Sequence, residues 1–536
     1  MCGIFFYYSK STCSNVENLF EKILHRGPDD TKLLYIKNNV VMGFHRLSIN
    51  GTTSQPISNG TLHLICNGEI YNYKDLALNH KIKLETDSDC EIILHLYKKY
   101  GIKKTITLLN SESAFVIYDD ANKTFVYSRD HLGIRPLFIG KNKDEIFLTS
   151  ELKAIPNYIN AYQLPAGYGI NWDYYPTKRV YQIDKTIEYK DHIQDKIVYD
   201  TIKCLLINAV SDRLMSNRKI GAFLSGGLDS SLIVSILSRY TKNIDIFTIG
   251  LEGSPDIKAA KQVCEYLHLK NHHIVKYTVE EGIKYLPDVI RSIESYDITT
   301  VRASIPQWIL SKYIKENTDT TVLFSGECID EMIGYYYLKF LDDKNFIKET
   351  TRMLDELYLY DLLRTDRTAA AHSLEVRIPF ADKTFIDYVM SLPLYYRKFG
   401  NVKSDIPSRL DQSGKNADTG LMEKHLIRNA FKGYLPDNIL WRKKHAFSDS
   451  VSGNNISWYK SIEEHAKKII TPDEYKNKHI IFPINTPVSY ESYLYRKIFT
   501  QIYPGRENII PHFWLPKIPN KKIIDPSATI LDGFTE

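Results

Sequence analysis

Cys2 directly follows Met1, and a small side chain at position two permits removal of an initiator methionine. The thiol would then share its residue with a free α-amine. That amine titrates near ~8, so at neutral pH it can accept the thiol proton and later return it to a leaving amine. The simpler alternative, that Cys2 is only the second residue of an arbitrary start, has to be weighed against the rest of the chain. A second reactive pattern is Ser225-Gly226-Gly227-Leu228-Asp229-Ser230-Ser231. Adjacent glycines followed by hydroxyls let backbone N–H groups and a helix N-terminus surround an anion. No G-K-[S/T] is present, which excludes a phosphate loop of the GTPase or kinase type. A tight turn of small residues would explain two glycines, but not the whole heptad.

The elements that must position these residues differ between the two halves. Residues 2 to about 180 read as short strands, among them 62–66, 113–118, 124–128 and 145–149, with 90–100 the clearest amphipathic helix. This pattern predicts a sheet-rich domain with helices outside. A polar stretch follows near 184–195. Beyond it, helices expected at 200–213, 230–240, 256–267 and 304–316 alternate with strands at 219–224, 244–249, 273–277 and 320–324. Such alternation implies a parallel, doubly wound sheet. The glycine heptad falls between a strand and a helix. Ser325-Gly326-Glu327-Cys328-Ile329-Asp330-Glu331 falls at the end of a later strand, where doubly wound sheets bind ligands. Past Tyr335 the chain reads as mostly helical, with 400–420 a polar, turn-rich mobile insertion.

The totals narrow the class. The 536 residues are 43% hydrophobic and 25% charged, ordinary values for a soluble multidomain enzyme. Sixty-nine basic against 64 acidic residues give a net charge of +5, without the dense basic cluster of a nucleic-acid or membrane-surface protein. The seven cysteines are scattered and never spaced C-x-x-C, which argues against a disulfide framework or a structural zinc site. No apolar run reaches the ~18 residues that span a bilayer, and the start lacks the basic segment of a signal peptide. The expectation is a cytoplasmic enzyme.

Cys2 is accompanied by His25-Arg26-Gly27-Pro28-Asp29, Arg46-Leu47-Ser48-Ile49, Asn67-Gly68-Glu69-Ile70-Tyr71-Asn72, Ser88-Asp89-Cys90-Glu91 and the run Arg129–Leu137. In order and spacing these motifs resemble the glutaminase domain of class II glutamine amidotransferases. The 225–231 heptad resembles the pyrophosphate loop of the ATP pyrophosphatases. With Tyr296–Ser304, Leu374–Phe380, Met422-Glu423-Lys424-His425, Trp441-Arg442-Lys443-Lys444 and Phe447-Ser448-Asp449, the chain resembles the asparagine synthetase family from residue 2 to roughly 515. The resemblance implies an N-terminal-nucleophile αββα sandwich at 2–183, a linker at 184–199, a doubly wound α/β domain at 200–515 and a tail at 516–536.

It also implies roles. Cys2 would attack the glutamine amide, with the Asn67 side chain and the Gly68 N–H as oxyanion donors, each typically worth ~10²–10³ in rate. Arg46 would fork onto the substrate carboxylate, Glu69 and Asp89 would hold its ammonium, and Leu47, Ser48, Ile49 and Asn50 would wrap it. Asn50 stands where relatives often carry an apolar residue. Leu224 and Ile249 would flank adenine and ribose, while Ser225, Gly226, Gly227 and Ser230 hold phosphates. Ser325 and Gly326 would add backbone contacts. Asp229, acidic beside a triphosphate, would bind Mg²⁺ together with Asp330. Lys444 would neutralise the α-phosphate, and Glu327 would serve the acyl-adenylate and accept a proton from ammonia. Aspartate and ATP are the implied co-substrates, and a homodimer the implied assembly. Alternatives are amidation of a different carboxylate, sugar-phosphate amination, which needs no 225–231 loop, and a non-catalytic descendant.

Two departures from the family pattern carry structural expectations. Cys328 replaces a glycine and would be strained at positive φ, while Ile329 and Tyr335 also differ from the usual S-G-E-G-x-D-E…G-G-Y. Ser111-Glu112-Ser113 replaces an apolar run, so Glu112 on a buried strand needs a partner.

Overall fold

The computed structural model describes residues 1–11, 16–37, 39–167, 169–171, 194–401, 421–442, 457–519 and 523. Among the described residues, eleven strands occupy the first part: β1 (Gly3–Ser9), β2 (Asp30–Ile36), β3 (Val40–Arg46), β4 (Ile57–Asn59), β5 (Leu62–Ile70), β6 (Ser111–Asp119), β7 (Thr124–Arg129), β8 (Phe138–Lys141), β9 (Glu145–Thr149), β10 (Asn160–Gln163) and β11 (Gly169–Asn171). They form a six-stranded sheet, β10-β8-β9-β1-β3-β2, and a five-stranded sheet, β11-β7-β6-β5-β4. Ile4 and Phe6 of β1 face Ile65, Val116 and Tyr118 of the other sheet, closing one core between the two. The helix Glu91–Leu108 covers the outer face of the five-stranded sheet over Leu64, Cys66, Phe115 and Ile117. Phe5 and Tyr7, on the opposite face of β1, join the apolar cluster that fills the second domain. Because both faces of β1 are covered, its sequence is a continuous apolar run without alternation.

The second part contains β12 (Lys219–Phe223), β13 (Asp245–Gly250), β14 (His272–Lys276), β15 (Thr320–Phe324) and β16 (Glu375–Arg377), all parallel, in the order β14-β13-β12-β15-β16. The order reverses between β12 and β15. A crevice at the carboxyl ends of the strands is expected there. The helix Leu228–Leu237 leaves β12 at that point.

One boundary differs from the sequence reading. A helix spans Asp195–Asp212, so 195–199 of the expected linker is helical. Its first turn is polar because only Val198, Ile202, Leu206, Ala209 and Val210 are buried, and a solvated turn has the composition of a linker. Residues 184–193 of the linker, most of the 400–420 insertion and most of the tail lie outside the described residues. Gly400–Asn401 and Leu421–Met422 pair as a short antiparallel ladder at the base of the insertion.

The domains meet across buried charge. Glu112, fully buried on β6, lies 2.9 Å from both Arg135 and Arg213 and accepts the Ile378 N–H at 3.0 Å. Arg26 reaches Glu151 at 2.8 Å and Asp366 at 3.1 Å, and Arg213 reaches Asp382 at 3.1 Å. The partner that Glu112 requires is thus supplied twice, once by each domain.

Removing one member of such a network leaves the others buried without full compensation, at a cost of about 3–5 kcal/mol. Glu112→Ala is expected to lower the urea unfolding midpoint sharply. Breaking the exposed Lys276–Glu252 pair should leave it in place. Equal midpoints for the two variants would show that the interface does not depend on Glu112.

Candidate active sites

The sequence brings Cys2 to its place through β1. Its Sγ lies 3.4 Å from the Leu47 N–H and its carbonyl accepts from Arg26 Nε at 3.0 Å. Met1 is present and buried. Its amine lies 4.0 Å from Glu375, and its sulfur accepts from Arg135 at 2.8 Å. Burial lowers that amine to about 6 and raises the Cys2 thiol to about 11. With Met1 attached, the Cys2 nitrogen is an amide and offers no base.

Asn67 lies on β5, fully buried, and neither its Oδ1 nor its Nδ2 has a hydrogen-bond partner among the described residues. A buried amide without partners is costly unless a ligand supplies them, which suits an oxyanion donor. Gly68 follows at φ +137°, and a Cβ there would sit 1.9 Å from the Glu112 carbonyl oxygen. Only glycine permits that approach.

The loop after β3 folds around this position. One Arg46 nitrogen donates to the Asn50 carbonyl at 3.2 Å and to that of Gly51 at 2.5 Å, while Asn50 donates to Glu69 at 2.6 Å. Asp89 accepts the Ile70 N–H at 2.6 Å. Ser48 and Ile49 present their carbonyls to Arg218 and Asn217 of the second domain. Burial raises the carboxyls of Glu69 and Asp89, the latter to about 6. The run 129–137, by contrast, builds the scaffold. Asp130 accepts the N–H groups of Ser113, Leu132, Ile134 and Arg135, and His131 bonds the Ala381 carbonyl across the interface.

The second site is a cavity of about 190 Å³ at the switch between β12 and β15. Leu224, Ser225, Gly227, Asp229, Ser230, Ile249, Ser325, Gly326, Glu327 and Asp330 all line it. Ser230 Oγ accepts the Ser225 N–H at 3.1 Å and lies 3.0 Å from Ser225 Oγ, which shapes the loop. Gly226 turns at φ +72° with its Cα against Ala259 and Ala260, so it sets the bend and does not line the cavity. Gly326 packs so closely that a Cβ would approach Ser230 N to 2.5 Å, which locks the two loops together.

Glu327 receives Arg364 at 2.8 Å and the Thr365 hydroxyl, yet burial holds its carboxyl above the usual range. Sequence reasoning gave no role to Arg364, nor to Lys424, whose ammonium lies 2.7–2.8 Å from both Asp229 oxygens and 2.7 Å from Asp330. Lys424 stands within the 422–425 motif, but its partners Asp229 and Asp330 lie far away in sequence and leave no local signal. Gly334 makes room for it, since a Cβ there would strike the lysine methylenes at 2.1 Å. Two carboxylates converging on a cation fit Mg²⁺, which binds through one or two carboxylates plus substrate phosphates. Arg442 holds the Gly226 carbonyl and Asp256. Lys444 lies outside the described residues. Arg302 of the 296–304 motif is committed to Glu491, while Thr299 and Ala303 of the same helix line the cavity.

A buried cysteine site on one domain and a phosphate-loop cavity on the other, joined by a buried interface, fit the two-domain class of glutamine-dependent amidating proteins. Comparison with known proteins is more specific. The glutamine amidotransferase domain family matches residues 1–169, and the asparagine synthase family matches 201–346 and 339–513. A probable asparagine synthetase [glutamine-hydrolyzing] of Acanthamoeba polyphaga mimivirus is 42% identical over 568 residues, 99% of this chain and 100% of its own length. The asparagine synthetase [glutamine-hydrolyzing] of Mus musculus is 39% identical over 580 residues, 100% of this chain and 99% of its own. The chain belongs to the asparagine synthetase family.

Cys328 occupies φ +85°, as anticipated for a replaced glycine. Cys328→Gly removes left-handed strain of about 1–2 kcal/mol but also loses a buried thiol, so stability should change little. Cys328→Val, β-branched at the same φ, is expected to cost more than about 2 kcal/mol. Thermal unfolding of both variants checks the order, and a more stable valine variant would contradict it.

With Met1 attached, Cys2 should react with iodoacetamide at a rate rising about tenfold per pH unit from 7 to 10. Chains lacking Met1 should react faster near neutrality. Peptide mass spectrometry on the two forms tests this, and identical pH profiles would refute it.

Proposed function

We propose that the chain makes L-asparagine from L-aspartate, taking nitrogen from glutamine and cleaving ATP to AMP and pyrophosphate. The observation that carries this reading is the presence of a buried, unpartnered Asn67 amide in the domain of Cys2 together with the phosphate-loop cavity, in a chain alike over its full length to proteins of that name.

In the first site, loss of Met1 leaves the Cys2 amine to accept the thiol proton. Sulfur attacks the glutamine amide carbon, Asn67 and the Gly68 N–H take the developing oxyanion, and ammonia leaves with the returned proton. Water then releases glutamate. Arg46 reads the substrate carboxylate, and Glu69 with Asp89 its ammonium.

In the second site, Ser225, Gly227 and Ser230 hold the phosphates at the N-terminus of the helix Leu228–Leu237, with Leu224 and Ile249 along the nucleoside. Asp229 and Asp330 would hold Mg²⁺, which would offset the triphosphate charge. The aspartate side-chain carboxylate attacks the α-phosphorus and pyrophosphate leaves. Ammonia then attacks the acyl carbon, AMP leaves, and Glu327, its carboxyl raised by burial, accepts the extra proton. The α-phosphate role of Lys444 rests on the family resemblance alone. An enclosed passage keeps ammonia neutral, since in water near pH 7 it is mostly non-nucleophilic ammonium. A homodimer and a cytoplasmic setting belong to the same reading. The latter is supported by the free cysteines among the described residues.

The test is release of AMP and pyrophosphate from Mg-ATP and ammonium, with and without aspartate, alongside amino-acid analysis. Aspartate-dependent AMP equal to asparagine formed is expected. AMP formation indifferent to aspartate would move the reading to another carboxylate. Cys2→Ala should abolish synthesis from glutamine and retain synthesis from ammonium. Loss of both in a folded variant would contradict the two-site division.

A further inference from the structure

The glutamine-reading carboxylate Glu69 sits in a crowd of negative charge. Asp89 faces it from the start of the helix Glu91–Leu108, Glu375 from β16, the Cys2 thiol from β1, and Glu112 lies opposite it in the β5–β6 register. Burial, then Asp89 and Glu375, push its carboxyl upward, whereas a reader of an ammonium must be ionised. Two groups oppose this: the Asn50 amide at 2.6 Å and the guanidinium of Arg377.

Arg377 belongs to the second domain and is fully buried. Its Nε donates to Glu375 at 2.9 Å, and one terminal nitrogen donates to the Arg213 and Met215 carbonyls, each at 2.6 Å. Those acceptors fix the guanidinium plane. The other terminal nitrogen has no hydrogen-bond acceptor among the described residues and points to Glu69 Oε1 at 3.6 Å. The Arg377 carbonyl meanwhile accepts the Ser325 N–H at 3.0 Å, so the side chain starts from a point tied to the nucleotide loop.

We propose that Arg377 is a positioning residue for glutamine. From the second domain it holds Glu69 ionised and aimed at the substrate ammonium, so the glutamine site is complete only when the two domains are docked. This rests on the glutaminase reading of the first site.

The experiment follows glutamate release by the full-length protein lacking Met1, as a function of pH, for wild type, Arg377→Gln and Arg377→Lys. An opposite charge at this range shifts a carboxyl by about 1–3 units. For Arg377→Gln, kcat/KM for glutamine at pH 7 is expected to fall at least about tenfold. Its acid limb should move up by about one unit or more, mainly through KM, while Arg377→Lys should keep the limb near its wild-type position. Glutaramate, the same amide without the α-ammonium, should lose little in either variant. An unshifted limb in Arg377→Gln, or equal losses for glutamine and glutaramate, would overturn the proposal in favour of a merely structural arginine. Should Arg377→Gln not fold, Arg377→Lys decides alone: glutamine and glutaramate falling together would overturn the proposal, and a wild-type limb would uphold it. Wild-type protein that releases no glutamate would instead defeat the glutaminase reading itself.

Discussion

The constraint on which the rest depends is the closure of the buried charge network between the domains. Arg26, Arg135, Glu112 and Glu151 come from the first domain, and Arg213, Arg367, Asp366 and Asp382 from the second. Desolvating so many ions costs several kcal/mol each, recovered only if every partner arrives in good geometry. Apolar contact between Phe5, Tyr7 and the second domain supplies affinity but tolerates sliding. Ion pairs at 2.8–3.1 Å do not. The network therefore acts as a register, setting one relative placement of the two sites.

That register reaches into the chemistry through the backbone. Glu112 meets both Arg135 and Arg213 with its side chain, and its carbonyl oxygen presses on the face of Gly68 where any other residue would carry a Cβ. The strand clamped at the interface, β6, is thus the one paired directly with Asn67 and Gly68 of β5. The loop after β3 is tied in the same way, by Asn217 and Arg218 bonding the carbonyls of Ile49 and Ser48. In the second domain Gly326 plays the matching part, letting the loop after β15 lie directly on the phosphate loop. At these positions the glycines read as chemical motifs in sequence act by allowing backbone to approach backbone.

What was legible follows from locality. The strands 145–149 and 320–324 are legible at their observed bounds because each is a short apolar run bracketed by turn residues. The Ser225–Ser231 loop was legible because one bend makes the whole anion site from contiguous residues. The first turn of the helix Asp195–Asp212 was not, since a solvated helix end and a linker share a composition. The run 129–137 was visible as a signature, yet its work, an aspartate capping four backbone amides, shows only in three dimensions. Lys424, Arg364 and Arg377 went unassigned for one reason: a cation's function is fixed by which carboxylates fold against it, and those lie tens to hundreds of residues away.

The two sites are prepared in opposite senses. In the first domain Arg46 and Glu69 already bond within the loop at Asn50 and Gly51, but the buried Asn67 amide has neither polar atom partnered among the described residues. Such preorganised donors act at full strength when charge develops. In the second cavity the carboxylates already have cationic partners, Asp229 and Asp330 sharing Lys424 and Glu327 held by Arg364. Asp229 and Asp330 would hold a divalent cation in the place the Lys424 ammonium now fills, which would leave the lysine to face phosphate oxygens. Such a replacement of one cation by another would keep the carboxylates compensated. In a buried site, where an uncompensated carboxylate costs more than its hydrogen bonds return, that is the cheaper route to a charged ligand. Lys424 holds this position from a left-handed backbone at φ +55°, in a space that Gly334 leaves open for its methylenes.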